Sequence, residues 1–364
     1  MKIAFVHFPG RLARLEAARA GTTPTEFLFG AIELERAGHE ISQYEVDPGS
    51  PASAAGRRLI DANAGRGHLA PHLSAAVLAG TRRLVPALRS ADVVVATTTG
   101  TAVALAAWRR AGLLRTPLVG IVAGLLNDPW RRTRRLTTLP LLRTMQVVLF
   151  GPGELEGMNA LGLGDSVHVV PFGVDAGFWT PGDVVAEREV MAIGNDGHRD
   201  WETLVAAAPH ISAPLRIFTR HTRPSSLPEN VTWERADWYG RILSDEKVRD
   251  LYRRAAVVVV PTKDVPQPSG QSVTLQAMAS GRPVVLSRTR GLWAPEELRD
   301  EENVVLVSPG DPRELADSVQ LLLDDEGRAT ALAAAGRESV LSDATVDRYA
   351  ERLLEVCRRA LVAG

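Results

Sequence analysis

The sequence predicts an α/β protein built on two doubly wound parallel sheets, and three observations support this. Short β-branched runs alternate with longer Ala-, Leu- and Arg-rich segments of helical period. Each short run is bounded by Gly, Pro or Asp, as buried parallel strands are. The alternation begins again after a Gly- and Pro-rich segment at residues 172–182, and 364 residues correspond to about two domains.

The first half has six predicted strands: Ile3–His7, Ile41–Val46, Val93–Thr97, Leu118–Ala123, Val147–Phe150 and Val167–Val170. Between them lie five predicted helices: Thr25–Ala37, Ser74–Arg89, Ala102–Ala111, Trp130–Thr144 and Gly153–Leu161. The stretch from Asp47 to Pro71 is rich in Gly, Ala, Pro and Ser. We predict a long loop there.

The second half repeats the pattern. Its predicted strands are Val190–Ile193, Leu215–Phe218, Val231–Trp233, Ala256–Val260, Val284–Leu286 and Val304–Val307. Its predicted helices are Asp200–Ala208, Asp245–Arg254, Ser272–Ser280, Pro312–Asp324, Glu326–Leu341 and Thr345–Leu361. We therefore predict domains at 1–177 and 178–344, followed by a separate C-terminal helix at 345–364. A cleft is expected between the carboxyl ends of the two sheets, where open parallel sheets bind ligands.

Composition excludes several classes of protein. The formal net charge of −1 disfavours a nucleic-acid binder that works through bulk positive charge. A single cysteine, Cys357, excludes a disulfide framework and a Cys-based metal site. The histidines show no metal-binding spacing and no D-x-D triplet occurs, so we expect neither a metal nor a cofactor. No apolar run reaches the ~18 residues of a membrane span, and we expect a cytoplasmic protein.

The most informative segment runs from Ser269 to Val285, where a polar loop after a buried strand leads into a helix. Gly270 lets the backbone approach a ligand closely. The N–H groups and dipole of the first helical turn suit a phosphate. Gln276 lies one turn further on and can bond a sugar hydroxyl. An ordinary helix capped by Ser269 or Ser272 would explain the same residues.

A second Gly-bearing turn, Gly194 to Trp201, follows the first strand of the second half. Gly194, Gly197 and Arg199 form a plausible phosphate clamp, because a guanidinium is a forked, permanently charged donor. Alternatively Asp200 merely caps the next helix and Arg199 is solvated.

Together these segments make the chain similar to the family 4 glycosyltransferases. Ser269 to Val285 resembles that family's nucleotide-sugar loop and helix, and Gly194 to Trp201 resembles its phosphate loop. Val169 to Asp175 resembles its interdomain segment, and Ile3 to Ile41 its first strand, helix and turn. The resemblance implies the GT-B architecture: two Rossmann-like domains facing across a cleft, with the last helix packing back on the first domain.

The resemblance also implies a reaction. A sugar would move from a nucleotide diphosphate sugar to an acceptor hydroxyl, retaining its anomeric configuration and without a metal. The first domain would bind the acceptor and the second the donor. The predicted donor-binding residues are Gly194, Asp196, Gly197, Arg199, Trp238, Tyr239, Ser269, Gly270, Gln271, Ser272, Val273 and Gln276.

The chain departs from the family pattern at two carboxylates, because Pro268 and Gln276 stand where the common form has two Glu separated by seven residues. The family's histidine after an N-domain strand is also missing from residues 120–128. A front-face mechanism tolerates this loss, since the leaving diphosphate itself takes the acceptor proton. Arg199 and Lys263 would supply the counter-charge.

Other candidates are open to two interpretations each. Trp238 and Tyr239 either stack on the base or belong to the core. His7, after the first strand, is either catalytic or structural. Phe8, Pro9, Gly10, Thr25 and Glu26 are expected to line the acceptor side.

The stretch from Trp130 to Arg143 is basic and amphipathic. It either lies on an anionic membrane surface, binds an acidic or lipid-linked acceptor, or presents solvated arginines beside a buried leucine face.

The leading hypothesis is therefore a glycosyltransferase whose partners are a nucleotide sugar and a glycan, lipid-linked glycan or small natural product. Two alternatives stay open at this point. One is a GT-B-fold epimerase or phosphorylase. The other is a non-catalytic relative that only binds sugar nucleotides, which the missing Glu pair would suit.

Overall fold

The computed structural model describes residues 1–47, 54–70, 73–127, 129–183, 186–236 and 243–363. The chain divides into two compact units. The first comprises Met1–Ala20, Thr25–Pro171 and Asp347–Gly364, and the second comprises Gly21–Pro24 and Phe172–Val346. The division after Pro171 falls six residues before the predicted boundary. The C-terminal segment belongs to the first unit.

The described part of the first unit holds a parallel sheet of six strands. These are β1 Lys2–His7, β2 Glu40–Glu45, β3 Val93–Ala96, β4 Leu118–Ile121, β5 Gln146–Leu149 and β6 Val167–Val169, in the spatial order β2-β1-β3-β4-β5-β6. Its helices are α1 Leu15–Arg19, α2 Ala31–Arg36, α3 Ala54–Gly65, α4 Ala75–Leu88, α5 Thr99–Arg110, α6 Arg132–Leu142 and α7 Leu155–Ala160.

The second unit repeats this design. Its strands are β7 Val190–Ile193, β8 Leu215–Thr219, β9 Val231–Arg235, β10 Val257–Val260, β11 Val284–Ser287 and β12 Val305–Val307, in the order β12-β11-β10-β7-β8-β9. Its helices are α8 Trp201–Ala207, α9 Asp245–Arg254, α10 Gln271–Ala279, α11 Pro312–Asp324 and α12 Glu326–Asp343. The last helix, α13 Val346–Ala363, returns to the first unit.

Each sheet has one point at which the strand order reverses. In the first unit it lies between β1 and β3, and in the second between β7 and β10. All pairings within the two sheets are parallel, for example Val258 of β10 with Met191 of β7. The carboxyl ends of neighbouring strands therefore meet at one edge, and the reversal opens a crevice there. The predicted doubly wound fold class is confirmed.

Two predicted elements were wrong. The predicted helix Thr25–Ala37 is broken, because Phe29 and Gly30 both adopt left-handed backbone conformations, with φ of 55° and 79°. A Cβ on Gly30 would lie 2.9 Å from the Cβ of Ala350 in α13, so the break lets α13 approach closely. The predicted loop from Asp47 to Pro71 contains α3, whose Ala, Leu and Arg residues favour a helix more than its Gly residues oppose it.

None of the helices in the described ranges is both long enough and apolar enough to cross a bilayer.

Candidate functional site

Two polar loops begin at the carboxyl ends of the neighbouring strands β7 and β10 and are joined along their backbones. The amide of Asp200 donates to the carbonyl of Pro261 at 3.0 Å, and the amide of Lys263 donates to the carbonyl of His198 at 2.8 Å. Because β7 and β10 flank the reversal of strand order, both loops border the crevice where such sheets bind ligands.

Arg199 lies between these loops and is only 4 % exposed. Its guanidinium occupies space that two glycines leave open. A Cβ on Gly194 would lie 2.0 Å from Nε of Arg199, and a Cβ on Gly270 would lie 2.8 Å from its Nη1. Gly270 has φ +81°, which also favours glycine. The two glycines are therefore what allow a buried arginine at this point.

Asp196 connects the arginine to the second loop. Its Oδ2 lies 3.0 Å from Nε of Arg199, while its Oδ1 accepts from the hydroxyl of Ser269 at 2.7 Å and from the amide of His198 at 3.1 Å. Burial opposes ionisation of Asp196, but the Arg199 charge and these hydrogen bonds outweigh it and hold its pKa below the ordinary value. Burial lowers the pKa of Arg199, and Asp196 opposes that shift.

The guanidinium of Arg199 lacks a full set of hydrogen-bond partners and lies beside the first turn of α10. Nη1 of Arg199 is buried and has no hydrogen-bond partner in the described part of the chain. The cap of α10, Gly270, offers no side chain, so the amides of Gln271, Ser272 and Val273 begin the helix uncapped. A helix N-terminus next to a buried guanidinium is a site for an anion.

The remaining residues of α10 differ in how much they can offer a ligand. Val273 is 2 % exposed, so only its amide is available to the site. Gln271 and Ser272 are half-buried, and Oε1 of Gln271 has no hydrogen-bond partner among the described residues. Gln276 is 6 % exposed, and its Oε1 accepts from the hydroxyl of Tyr252 at 3.2 Å. Its predicted bond to a ribose stays a prediction.

Four further predicted site residues remain to be placed. Lys263 is exposed, and only its backbone joins the two loops. Gly197 is exposed, with open space where a Cβ would be. Trp238 and Tyr239 lie outside the described residues.

The environment of His7 favours the structural one of its two interpretations. Its ring is fully buried and stacks against Phe5 and Phe29. Nε2 lies 3.1 Å from Oε1 of Gln43, and Nδ1 lies 3.3 Å from Oγ1 of Thr97. Burial lowers the pKa of His7 to about 4. Both nitrogens are engaged, so the ring serves as a neutral structural group.

The predicted acceptor residues fall into two sets. Phe8 is 50 % exposed and Gly10 is exposed, while Pro9 is half-buried, so this segment is open to a ligand. Thr25 and Glu26 are buried, and the Thr25 hydroxyl donates to Oε1 of Glu33 at 2.6 Å. Their side chains are not open to an acceptor in this conformation.

Sequence reasoning missed several residues that shape the loops. Oδ1 of Asn195 accepts from the amide of Arg220 at 2.6 Å, and the Ser287 hydroxyl accepts from the amide of Thr262 at 3.0 Å. His221 places Nε2 3.1 Å from the carbonyl of Asp196. These contacts join segments far apart in the chain, and no local pattern marks them. In the described ranges no group of three or more His, Cys, Asp or Glu side chains could hold a metal ion.

Comparison with known proteins places the second unit in a class. Residues 187–325 match the family model described as Glycosyl transferases group 1. The D-inositol 3-phosphate glycosyltransferase of Xylanimonas cellulosilytica is 31 % identical over 199 residues, which cover 48 % of this chain and 46 % of that protein. The enzyme of the same name from Corynebacterium diphtheriae is 37 % identical over 188 residues, 50 % of this chain and 41 % of its own. The chain thus spans less than half the length of these curated relatives.

Solved structures match over almost the whole chain. HepE of Anabaena, crystallised with UDP-glucose, has a TM-score of 0.70 at 16 % identity and covers 99 % of this chain and 100 % of its own. Sucrose-phosphate synthase of Thermosynechococcus elongatus has a TM-score of 0.70 at 18 % identity, with 100 % of each chain covered. These likenesses show that the chain has the GT-B fold of two Rossmann-like units.

Proposed function

We propose that the chain is a glycosyltransferase that moves a sugar from a nucleoside diphosphate sugar to an acceptor hydroxyl, with retention and without a metal. The glycosyltransferase match at 187–325 and a structural neighbour that binds UDP-glucose support the reaction class. The single observation that carries the proposal is the buried Nη1 of Arg199 beside the uncapped start of α10.

The diphosphate is the part of the donor that this geometry fits best. One phosphate lies against the amides of Gln271 to Val273, and Arg199 donates to its oxygens or to those of the next phosphate. Charged hydrogen bonds of this kind contribute roughly 1.5–3 kcal/mol each. Asp196 keeps the guanidinium in place before the donor binds, and Ser269 ties Asp196 to the same loop.

The reaction needs little from side-chain acids and bases. The bond between the anomeric carbon and the diphosphate oxygen breaks as the acceptor oxygen approaches the same face. The acceptor proton passes to the leaving oxygen of the diphosphate. Arg199 and the α10 dipole stabilise the charge that develops there, which is the task that a fixed set of donors performs best.

A donor-hydrolysis and transfer assay tests the proposal. UDP-, GDP-, dTDP- and ADP-sugars are incubated with the protein, and release of the nucleoside diphosphate is followed. Release with one base, undiminished by EDTA, is expected, and NMR of the glycoside should show the anomeric configuration of the donor. Product with inverted configuration would refute retention. No release from any donor with a panel of hydroxyl acceptors, together with tight donor binding, would identify a binding protein.

A further inference from the structure

A tyrosine hydroxyl reaches from α9 to the helix that begins at the candidate diphosphate site. Tyr252, in the last turn of α9, is fully buried. Its hydroxyl donates to Oε1 of Gln276 in α10 at 3.2 Å. Burial lowers the pKa of Arg199, and Asp196 and then Tyr252 oppose that shift, so the Tyr252 side chain lies near the guanidinium. The hydroxyl therefore lies beside the residues that would meet the donor.

The ring of Tyr252 is held by aromatic packing that does not involve its hydroxyl. It packs edge-on against Trp179, with ring centroids 5.8 Å apart and planes at 73°. Trp179 is 1 % exposed and packs in turn against Phe178, with centroids 4.9 Å apart. Nη1 of Arg249, one turn before Tyr252 in α9, donates to the carbonyl of Phe178 at 3.3 Å. A phenylalanine in place of the tyrosine would keep this packing and lose the bond to Gln276.

Gln276 is an amide inside a mostly apolar stretch of helix. Every residue of α10 from Val273 to Ala279 is buried, and Thr274 and Gln276 are the polar ones. An amide has two different ends, a carbonyl that accepts and an NH2 that donates, whereas a carboxylate presents two equivalent oxygens. The orientation of an amide therefore decides which hydrogen bonds it offers a ligand. By donating to Oε1, the hydroxyl of Tyr252 fixes that orientation.

We propose that Tyr252 is a positioning residue for the donor, whose hydroxyl holds the Gln276 amide in the orientation that binds the nucleoside part of a nucleoside diphosphate. The inference rests on the proposed function and on the predicted bond between Gln276 and the ribose. It follows from the glutamine itself, which stands where the common form of the similar family has a carboxylate. A carboxylate has no wrong orientation to exclude.

Calorimetric titration tests this role with two ligands, inorganic pyrophosphate and whichever of UDP, GDP, dTDP and ADP binds most tightly. Tyr252→Phe should weaken the nucleoside diphosphate at least threefold. It should change pyrophosphate binding less than twofold, because Arg199 and the amides of α10 remain in place. Tyr44→Phe, at a half-buried tyrosine of β2, is the matched control and should change neither Kd more than twofold.

Two backgrounds separate positioning of the amide from general support of the site. Gln276→Ala has no amide to orient, and Gln276→Glu has two equivalent oxygens. Adding Tyr252→Phe to either background should therefore change the Kd of the nucleoside diphosphate less than twofold. Weakening by the same factor in wild type and in both backgrounds would overturn the inference, since Tyr252 would then support the site as a whole.

The ligands also separate failure of this inference from failure of the proposed function. Equal weakening of pyrophosphate and nucleoside diphosphate by Tyr252→Phe would overturn the inference, because the tyrosine would then act on Arg199. An unchanged Kd in Tyr252→Phe, with weaker binding in Arg199→Ala, would overturn it and leave the proposed function standing. If wild type bound none of the four diphosphates, the proposed function itself would fall, and the inference with it.

Discussion

Replacing Gly270 by alanine tests whether the absence of a side chain at this position makes room for the buried guanidinium of Arg199. The added Cβ would lie 2.5 Å from Cγ1 of Val260 and 2.8 Å from Nη1 of Arg199, so the guanidinium must move. Left-handed backbone at a non-glycine residue costs about 1–2 kcal/mol. Overpacking adds roughly 1–3 kcal/mol. We therefore expect a loss of about 2–5 kcal/mol in the free energy of unfolding, which lowers Tm by roughly 4–20 °C.

The same change should weaken binding of the preferred nucleoside diphosphate. A displaced Arg199 forfeits a charged hydrogen bond of about 1.5–3 kcal/mol, which is roughly 10- to 100-fold in Kd. The assay is calorimetric titration with the diphosphate, beside thermal unfolding. Gly65→Ala in α3 is the matched control, because its Cβ meets nothing within 4 Å and it lies away from the diphosphate site, and it should change neither quantity appreciably. An unchanged Kd in Gly270→Ala, or equal losses in Gly65→Ala, would contradict this role of Gly270.

Three further predictions concern single side chains. Gln276→Ala should weaken donor binding by about 1–2 kcal/mol, while Gln276→Glu should be tolerated far better. A lower Tm with an unchanged donor Kd in Gln276→Ala would mean that Gln276 has a structural role, through contacts such as its hydrogen bond with Tyr252. Asp196→Asn leaves Arg199 buried without its counter-charge and should destabilise the unliganded protein by about 1–3 kcal/mol, because the Asp196 side chain is itself 40 % exposed. A nucleoside diphosphate should then raise Tm more in Asp196→Asn than in the wild type, and an equal rise would contradict the pairing. Because burial lowers the pKa of His7 to about 4 in the folded protein, and a solvated histidine has an ordinary pKa of about 6.5, the unfolded chain binds more protons between these values. His7 should therefore lower the free energy of unfolding by about 3 kcal/mol as the pH drops from 6.5 to 4. Urea unfolding at pH 7 and pH 4 should show a smaller loss of stability in His7→Gln than in wild type. The control His210→Gln, at an exposed side chain, should lose as much stability as wild type does.

Strands were predictable because burial on both faces leaves a strong local signal. Runs such as Val257–Val260 and Val190–Ile193 are wholly apolar, and the structure places strands at both. Helices that begin at a clear capping residue were equally predictable from the sequence. Asp311 accepts from the amides of Arg313 and Glu314, and α11 begins at Pro312 as the sequence predicts.

The elements that failed depend on tertiary contacts. Nothing local to Thr25–Ala37 reveals that α13, more than 300 residues later, requires the left-handed turn at Phe29 and Gly30. In Asp47–Pro71 the prediction gave too much weight to Gly and Pro and too little to the Ala-rich run of α3.

Several residues of the candidate site were predictable from the sequence, but the contacts between them were not. The sequence pointed to Gly194, Arg199 and Gly270 through the loops that carry them. It could not show that both glycines contact the same guanidinium, because the loops are separated by about 70 residues and meet only through the sheet. The sequence left both interpretations of His7 open for the same reason, since its partners Gln43 and Thr97 come from other segments.

We infer that the crevice between β7 and β10 recognises a diphosphate through Arg199. The most direct measurement is a titration of wild type and Arg199→Ala with UDP, GDP, dTDP and ADP and with the matching nucleosides. We expect one diphosphate to bind wild type much more tightly than its nucleoside does. Arg199→Ala should remove about 1.5–3 kcal/mol from the diphosphate and almost nothing from the nucleoside. Equal affinity of wild type for diphosphate and nucleoside, or no binding of any of the four, would contradict it.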